Sequence, residues 1–395
     1  MADRTVLVSG AGIAGSSLAY WLVRYGYRPT LVEIAPALPQ GGYMVDFWGV
    51  GYDAAEKMDL LPALRRVAYN IGEIRMVDRH GTPIGGFDTR ALQAAAGDRF
   101  FSILRSDLAH AIFKALDGKV ETIFGDHITA IEQDDAGVQV SFGKSQARRF
   151  DIVVGADGLH SAVRSLQFGD EDRFEKYLGY YVASFGVADY LQRDESAYVS
   201  YTTAGRQVAR YALRGNRTVF VFIWIEDAKL DVARHDINAQ KQLLRARFRS
   251  CGWECDAILE ALDASEELYF DSVSQIRMSN WWRNRVALVG DAAYCLSLLA
   301  GEGAALAMAG AYVLAGELHR MQADHEAAFR NYDQSLRSYI DYKQRSALRL
   351  GHWFAPKTRA GVLVRNQITR MMSWPWIGRR FLGSMLGESF RLPTY

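Results

Sequence analysis

Cysteine is scarce in this chain. Three residues among 395, Cys251, Cys255 and Cys295, make an odd count, and the C-x3-C pair lacks the neighbouring Cys or His ligands that a zinc site requires. Free thiols in a reducing compartment are expected, with no disulfide framework and no metal centre. Long apolar runs are missing too: the nearest, 303–316, is uncharged but only fourteen residues long, short of the ~20 that cross a bilayer. Met1-Ala2-Asp3-Arg4-Thr5 has no charged lead into an apolar stretch, so no secretory signal is expected and the cytoplasm is the expected location. Charge of one sign is absent as well. Forty-six basic against forty-five acidic residues leave a net charge of +1, which excludes a whole-protein field for nucleic acid, and no nucleic-acid-binding motif is present. No internal repeat or low-complexity tract interrupts the chain.

What remains is the composition of a globular protein, 49% hydrophobic and 23% charged, long enough at about 150 residues per domain for two or three domains. Its first motif is a phosphate turn. Thr5-Val6-Leu7-Val8-Ser9 is a short β-prone run leading into Gly10-Ala11-Gly12-Ile13-Ala14-Gly15 and then a helix-like stretch. Gly10 permits the tight turn, Gly12 lets backbone approach a pyrophosphate, and Gly15 lets helix pack on strand. A second strand, Pro29-Thr30-Leu31-Val32-Glu33, ends in the acid expected to accept a ribose hydroxyl. An acid there favours FAD or NAD over NADP, and the turn does not choose between those two.

Two further strands leave through polar glycine turns. Ile152-Val153-Val154-Gly155-Ala156 runs into Asp157-Gly158-Leu159-His160-Ser161, and Val286-Ala287-Leu288-Val289 runs into Gly290-Asp291-Ala292-Ala293. The latter is followed by Gly301-Glu302-Gly303 and a small-residue helix over 304–318, whose start suits the negative end of a flavin or phosphate.

In this order and spacing the three motifs resemble the class A flavoprotein monooxygenases, the p-hydroxybenzoate hydroxylase-like family, over residues 1 to about 335. The segment Gly41-Gly42-Tyr43-Met44-Val45-Asp46-Phe47-Trp48-Gly49 is similar to the equivalent part of the single-unit tetracycline-inactivating subgroup. The resemblance implies an α/β fold: a Rossmann-like FAD-binding domain (1–75, 97–170 and 276–335), an inserted β-rich substrate domain (76–96 and 171–275) and a C-terminal helical segment (336–395). It assigns the FAD pyrophosphate to Gly10, Gly12, Ile13, Ala14 and Gly15, and an adenosine contact to Glu33. It places Asp157 and Gly158 beside FAD and a visiting nicotinamide, and Gly290 and Asp291 on the ribityl chain. Gly301, Gly303 and Ala304 would lie at the flavin ring. Arg105, in Phe101-Ser102-Ile103-Leu104-Arg105, looks like the family's FAD-contacting arginine. The chain has no second glycine-rich phosphate turn and no redox C-x4-C, which sets it apart from flavoprotein disulfide reductases and two-nucleotide enzymes.

The implied reaction uses NADPH or NADH to reduce FAD. Reduced FAD takes up dioxygen, and a flavin C4a-hydroperoxide then hydroxylates an aromatic or polyketide-like small molecule. No catalytic acid or base is nominated. The family commonly has His and prolines after Gly-Asp-Ala-Ala, where this chain has Tyr294 and Ser297-Leu298. That departure keeps two alternatives open: an FAD-dependent oxidase or reductase without oxygen insertion, and a non-catalytic flavin-binding accessory protein.

The middle of the chain alternates with period two over 178–187, 197–201, 207–213 and 218–225. Phe220, Phe222 and Trp224 share one face while Val219, Val221 and Ile223 share the other. The resemblance sets one face of this sheet over the flavin, and Arg210, Tyr211, Phe222 and Trp224 are the candidate substrate contacts. A helix is expected over 237–248, with arginines on a solvated face. From His352 onward Lys357, Arg359, Arg365, Arg370, Arg379, Arg380 and Arg391 stand against Glu388, seven minus one or +6, interleaved with Trp353, Phe354, Trp374, Trp376, Phe381 and Phe390. A helix clamping the two domains is the favoured reading, ahead of an interfacial membrane contact.

Overall fold

The structure is a computed structural model, and it describes residues 4–89, 99–190, 194–265, 267–322, 324–372 and 390–395. Two sheets organise it. The first has six strands in the order Trp282–Arg283, Val286–Leu288, Ile152–Gly155, Thr5–Ser9, Arg28–Glu33 and Glu121–Phe124. All neighbours are parallel except the first pair. Val6, Leu7, Val153, Val154, Val286 and Leu288 have no exposed surface, as strands covered on both faces require. The helices Ile13–Arg24 and Gly303–Met321 pack closely against each other in this domain. The three motif strands therefore run side by side and end at one edge of the sheet, where open α/β sheets bind their ligands.

The second sheet has seven strands, in the order Tyr269–Ile276, Glu175–Ala188, Arg217–Ile225, Arg206–Leu213, Ala197–Thr203, Glu73–Val77 and Pro83–Asp88. It begins at Glu73, upstream of the 76 expected, because Glu73–Val77 pairs in parallel with Ala197–Thr203. Register sets its two faces. Tyr198, Ser200, Thr202, Gln207, Ala209, Tyr211, Val219, Val221 and Ile223 point one way, toward the nucleotide domain, where Tyr211 packs with Leu104 and Met44. Tyr201, Val208, Phe220, Phe222 and Trp224 point the other way, into a core closed by Leu244, Phe248, Ile258 and Leu259 of the helices Ile237–Phe248 and Cys255–Ala261. Asp236 caps the first of these helices by accepting from the Ala239 N–H at 3.0 Å. Its arginines are paired rather than simply solvated: Arg247 meets Glu226 at 2.9 Å and Arg245 meets Asp263.

The C-terminal segment starts earlier than 336, with one helix of thirty residues, His325–Phe354. The helix Arg359–Met372 then packs on the edge strand Pro83–Asp88. Its Arg365 is buried, donating to Thr202 Oγ1 at 3.1 Å and to the carbonyls of Trp353 and Phe354 at 3.4 Å, and so caps the end of the long helix. Residues 390–395 dock on the nucleotide domain: Phe390 stacks on Tyr339 at 5.0 Å, and the Tyr395 hydroxyl donates to Glu317 Oε1 at 2.8 Å. The tail thus touches both domains. Trp374, Trp376, Arg379, Arg380, Phe381 and Glu388 lie outside the described residues. Among those described, no helix is long and apolar enough to cross a membrane.

Candidate functional site

The glycine turn is built as its spacing demands. Gly10 N donates to Val32 O at 2.7 Å, and the helix starts at Ile13 with no side-chain cap, leaving N–H groups of its first turn for an anion. A Cβ on Gly15 would lie 1.8 Å from the Gly10 carbonyl oxygen. Glu33 locks the turn from the next strand, accepting from Ala11 N at 2.8 Å and from Ala35 N at 3.0 Å. Gly290, at φ 67° and with its Cβ position 2.9 Å from Ala14 Cβ, brings the third motif onto the first.

The second turn is a charged junction. Asp157 accepts from Ser161 Oγ at 2.5 Å and from Val163 N at 3.1 Å, and burial raises its pKa against these bonds. Ser161 in turn caps the helix Ala162–Phe168. Arg164, fully buried, donates to Ala292 O at 3.0 Å and to Glu171 Oε2 at 2.9 Å, tying the second motif to the third. Glu171 meets His160 Nδ1 at 2.9 Å, and His160 Nε2 reaches Asp271 of the seven-stranded sheet at 3.2 Å.

Between the sheets lies an interior cleft. Arg105 and Asp46 keep exposed surface there, and desolvation by the surrounding protein raises the Asp46 carboxyl against its hydrogen bond from Ser102. Arg105 begins the helix Arg105–Lys114, and its N–H donates to Tyr43 O at 3.1 Å. Burial alone would lower its guanidinium, but Tyr43, Tyr269, Asp291 and Glu33 hold it above its ordinary value. Burial pushes the Tyr43 phenol up to about 12 and raises Asp291, with Arg105 opposing both. The Tyr43 and Tyr269 rings stand 5.3 Å apart. The Gly303 Cβ position is 3.6 Å from Asp291 Oδ1, so the start of the long small-residue helix faces that carboxyl. Gly301, left-handed at φ 70°, and Ala304 complete this end, and a buried Lys343–Glu302 pair at 2.5 Å fixes the turn between them.

The structure therefore brings Gly10, Gly12, Ile13, Ala14, Gly15 and Glu33 together with Gly290, and Arg105 with Asp291 and Gly303. It separates the four nominated substrate contacts. Tyr211 faces the cleft, its hydroxyl accepting from Met44 N at 2.7 Å. Arg210, Phe222 and Trp224 do not: they lie on the opposite face, Phe222 and Trp224 in the helix-covered core and Arg210 held by Glu254 and Asp194 at 2.9 Å each. Both faces of these strands are apolar, so alternation finds the faces without telling which one the helices cover. Tyr43, Asp46 and Tyr269 of the cleft were not nominated; tyrosines in strands carry no signal of their own. Gln207 Oε1 and Ser184 Oγ, on the cleft-side face, are buried with no hydrogen-bond partner among the described residues.

Comparison with known proteins agrees with this geometry. Residues 104–335 match the family described as FAD binding domain. An uncharacterized protein of Mycobacterium tuberculosis is 38% identical over 353 residues, 86% of this chain and 92% of that protein. A flavin-dependent monooxygenase of Legionella longbeachae is 33% identical over 381 residues, 92% and 91% of the two chains. The crystal structure of tetracycline destructase Tet(51) superposes with a TM-score of 0.84 at 31% identity, covering 99% of this chain and 100% of that one. The chain belongs to the FAD-binding domain family and is a flavin-dependent monooxygenase.

Proposed function

We propose that this enzyme hydroxylates a small aromatic or polyketide-like molecule with dioxygen, using NADPH or NADH as a transient reductant. The observation that carries this reading is the cleft between the two sheets, walled by Arg105, Tyr43, Tyr269 and Asp291 and ended by Gly303. These residues fit FAD. The space kept free by Gly12 admits a pyrophosphate against uncapped N–H groups, and Glu33 offers a carboxylate to the ribose. Bound FAD supplies the electron transfer and oxygen activation. The chain supplies position and field. Arg105 and the start of the helix Gly303–Met321 set positive potential where the cofactor ring gathers negative charge. Asp157 and Gly158 line the turn that a visiting nicotinamide would pass. The cleft-side face of the seven-stranded sheet, Tyr211 included, excludes water and holds a planar apolar substrate.

The nucleotide domain comprises 1–72, 99–170 and 276–324 in this reading, the inserted strands form the substrate domain, and the C-terminal helices clamp the two. The cytoplasm is the proposed location. The likeness to a tetracycline destructase favours fused-ring substrates. Anaerobic reduction of the bound flavin by NADPH or NADH, with and without a panel of phenols and polyketide-like aromatics, tests the proposal. Ligand-accelerated reduction followed, on admitting isotopically labelled dioxygen, by labelled product is the expected result. Turnover without label in the product would replace hydroxylation by oxidase chemistry.

A further inference from the structure

A pocket of about 500 Å³ lies between the cleft-side face of the seven-stranded sheet, the loop leading from Asp291 to Gly303 and the long helix His325–Phe354. Its size is that of a small-molecule site. A bulge creates it: the pairing of Glu175–Ala188 with Tyr269–Ile276 slips between Tyr177 and Tyr181, and Gly179 takes φ 82° there. Leu178, Tyr180, Ile225, Val273, Leu299 and Leu348 give it apolar walls. Ser297, at φ 129°, forms part of the lining and accepts from Leu299 N at 3.1 Å, which turns the loop toward the pocket.

The charged lining is mixed, two lysines against one carboxylate, for a net charge of +1. Lys176 and Lys357 line the pocket with Asp227 as the acid beside them, and neither lysine has an ion-pair partner among the described residues. The two come from different parts of the chain. Lys176 sits on the first bulged strand, while Lys357 follows Pro356, whose carbonyl accepts from Gly205 N at 2.8 Å and so pins that turn against the sheet. Apolar walls with two ammonium groups against one carboxylate suit a ring system that carries an anion.

We propose, resting on the monooxygenase reading above, that the substrate is a planar apolar acid, with Lys176 and Lys357 selecting its carboxylate and the walls aligning its rings toward the cofactor. The test is calorimetric titration of the FAD-loaded enzyme with 1-hydroxy-2-naphthoic acid and with its methyl ester, in wild type and in the double variant Lys176→Ala/Lys357→Ala. The acid should bind about tenfold more tightly than the ester, as two partly exposed charges allow. The double variant should lose that preference and leave ester affinity unchanged, while Lys176→Arg/Lys357→Arg retains it. Equal affinities for acid and ester, no binding of either, or a variant that weakens both alike would overturn the proposal. Heat of binding is independent of turnover, so acid-selective binding without an oxygenated product would count against the hydroxylation reading and leave the lysines' role standing.

Discussion

The imidazole Nε2 of His160 lies 3.2 Å from both carboxylate oxygens of Asp271, joining a turn of the nucleotide domain to a strand of the substrate sheet. Its Nδ1 meets Glu171, which also receives Arg164 and, from the solvent side, Arg234. Burial alone would lower the imidazole, but Asp271 and Glu171 outweigh it and hold His160 above its ordinary 6.5. A raised folded-state value means that this stabilisation is complete below pH 6.5 and is lost as pH rises through the raised value. Thermal midpoints should therefore fall over that alkaline window, and His160→Gln should flatten the fall. Parallel pH profiles for wild type and variant would contradict the bridge.

Gly15 and Gly12 separate folding from cofactor binding. A methyl on Gly15 meets backbone at 1.8 Å, and overpacking of that kind costs about 1–3 kcal/mol or more. A methyl on Gly12 meets nothing within 4 Å. Gly15→Ala should lower both the melting temperature and the flavin content of the purified protein. Gly12→Ala should lose flavin, read as the ratio of flavin to protein absorbance, and melt as flavin-stripped wild type does.

Arg164 is a buried cation whose removal takes a donor from the Ala292 carbonyl and leaves Glu171 with His160 and Arg234 alone. Arg164→Met should destabilise by about 1–3 kcal/mol, the usual cost of leaving buried polar groups without their hydrogen bonds. Urea unfolding monitored by tryptophan fluorescence gives the number, and an unchanged midpoint would show that the junction is not bearing strain.

Arg210→Met addresses the far face of the substrate sheet. The guanidinium holds Glu254 and Asp194 under the covering helices, so its loss should cost on the order of 2 kcal/mol and leave ligand affinity at the flavin unaltered. Weakened ligand binding in a variant of normal stability would return Arg210 to the pocket.

The glycine turns were legible because their steric demands are local. Gly10, Gly15 and Gly290 each answer a steric demand within a few residues, and Glu33 sits at the end of a strand whose register is set by its neighbour. The four strands of the substrate sheet within 178–225 and the helix over 237–248 were legible from periodicity. Choosing the working face of that sheet was not, since Val221 and Phe222 are equally apolar and only the later helices decide which one is covered. Tyr43 and Tyr269 meet across more than two hundred residues of chain, and the Lys343–Glu302 pair joins a helix to a turn through burial alone. Such pairings carry no spacing signature.

That last pair has a thermodynamic corollary. Glu302 precedes the start of the helix Gly303–Met321, and Lys343 lies about one turn before Ala347 and Leu348 in the pocket wall. A substrate in the proposed pocket and a flavin at the helix start would therefore act on opposite ends of one ion pair, and their binding would be coupled. Whatever factor substrate applies to flavin retention, flavin must return to substrate affinity. The equilibrium affinity for flavin is therefore a gauge of substrate fit that needs no turnover at all.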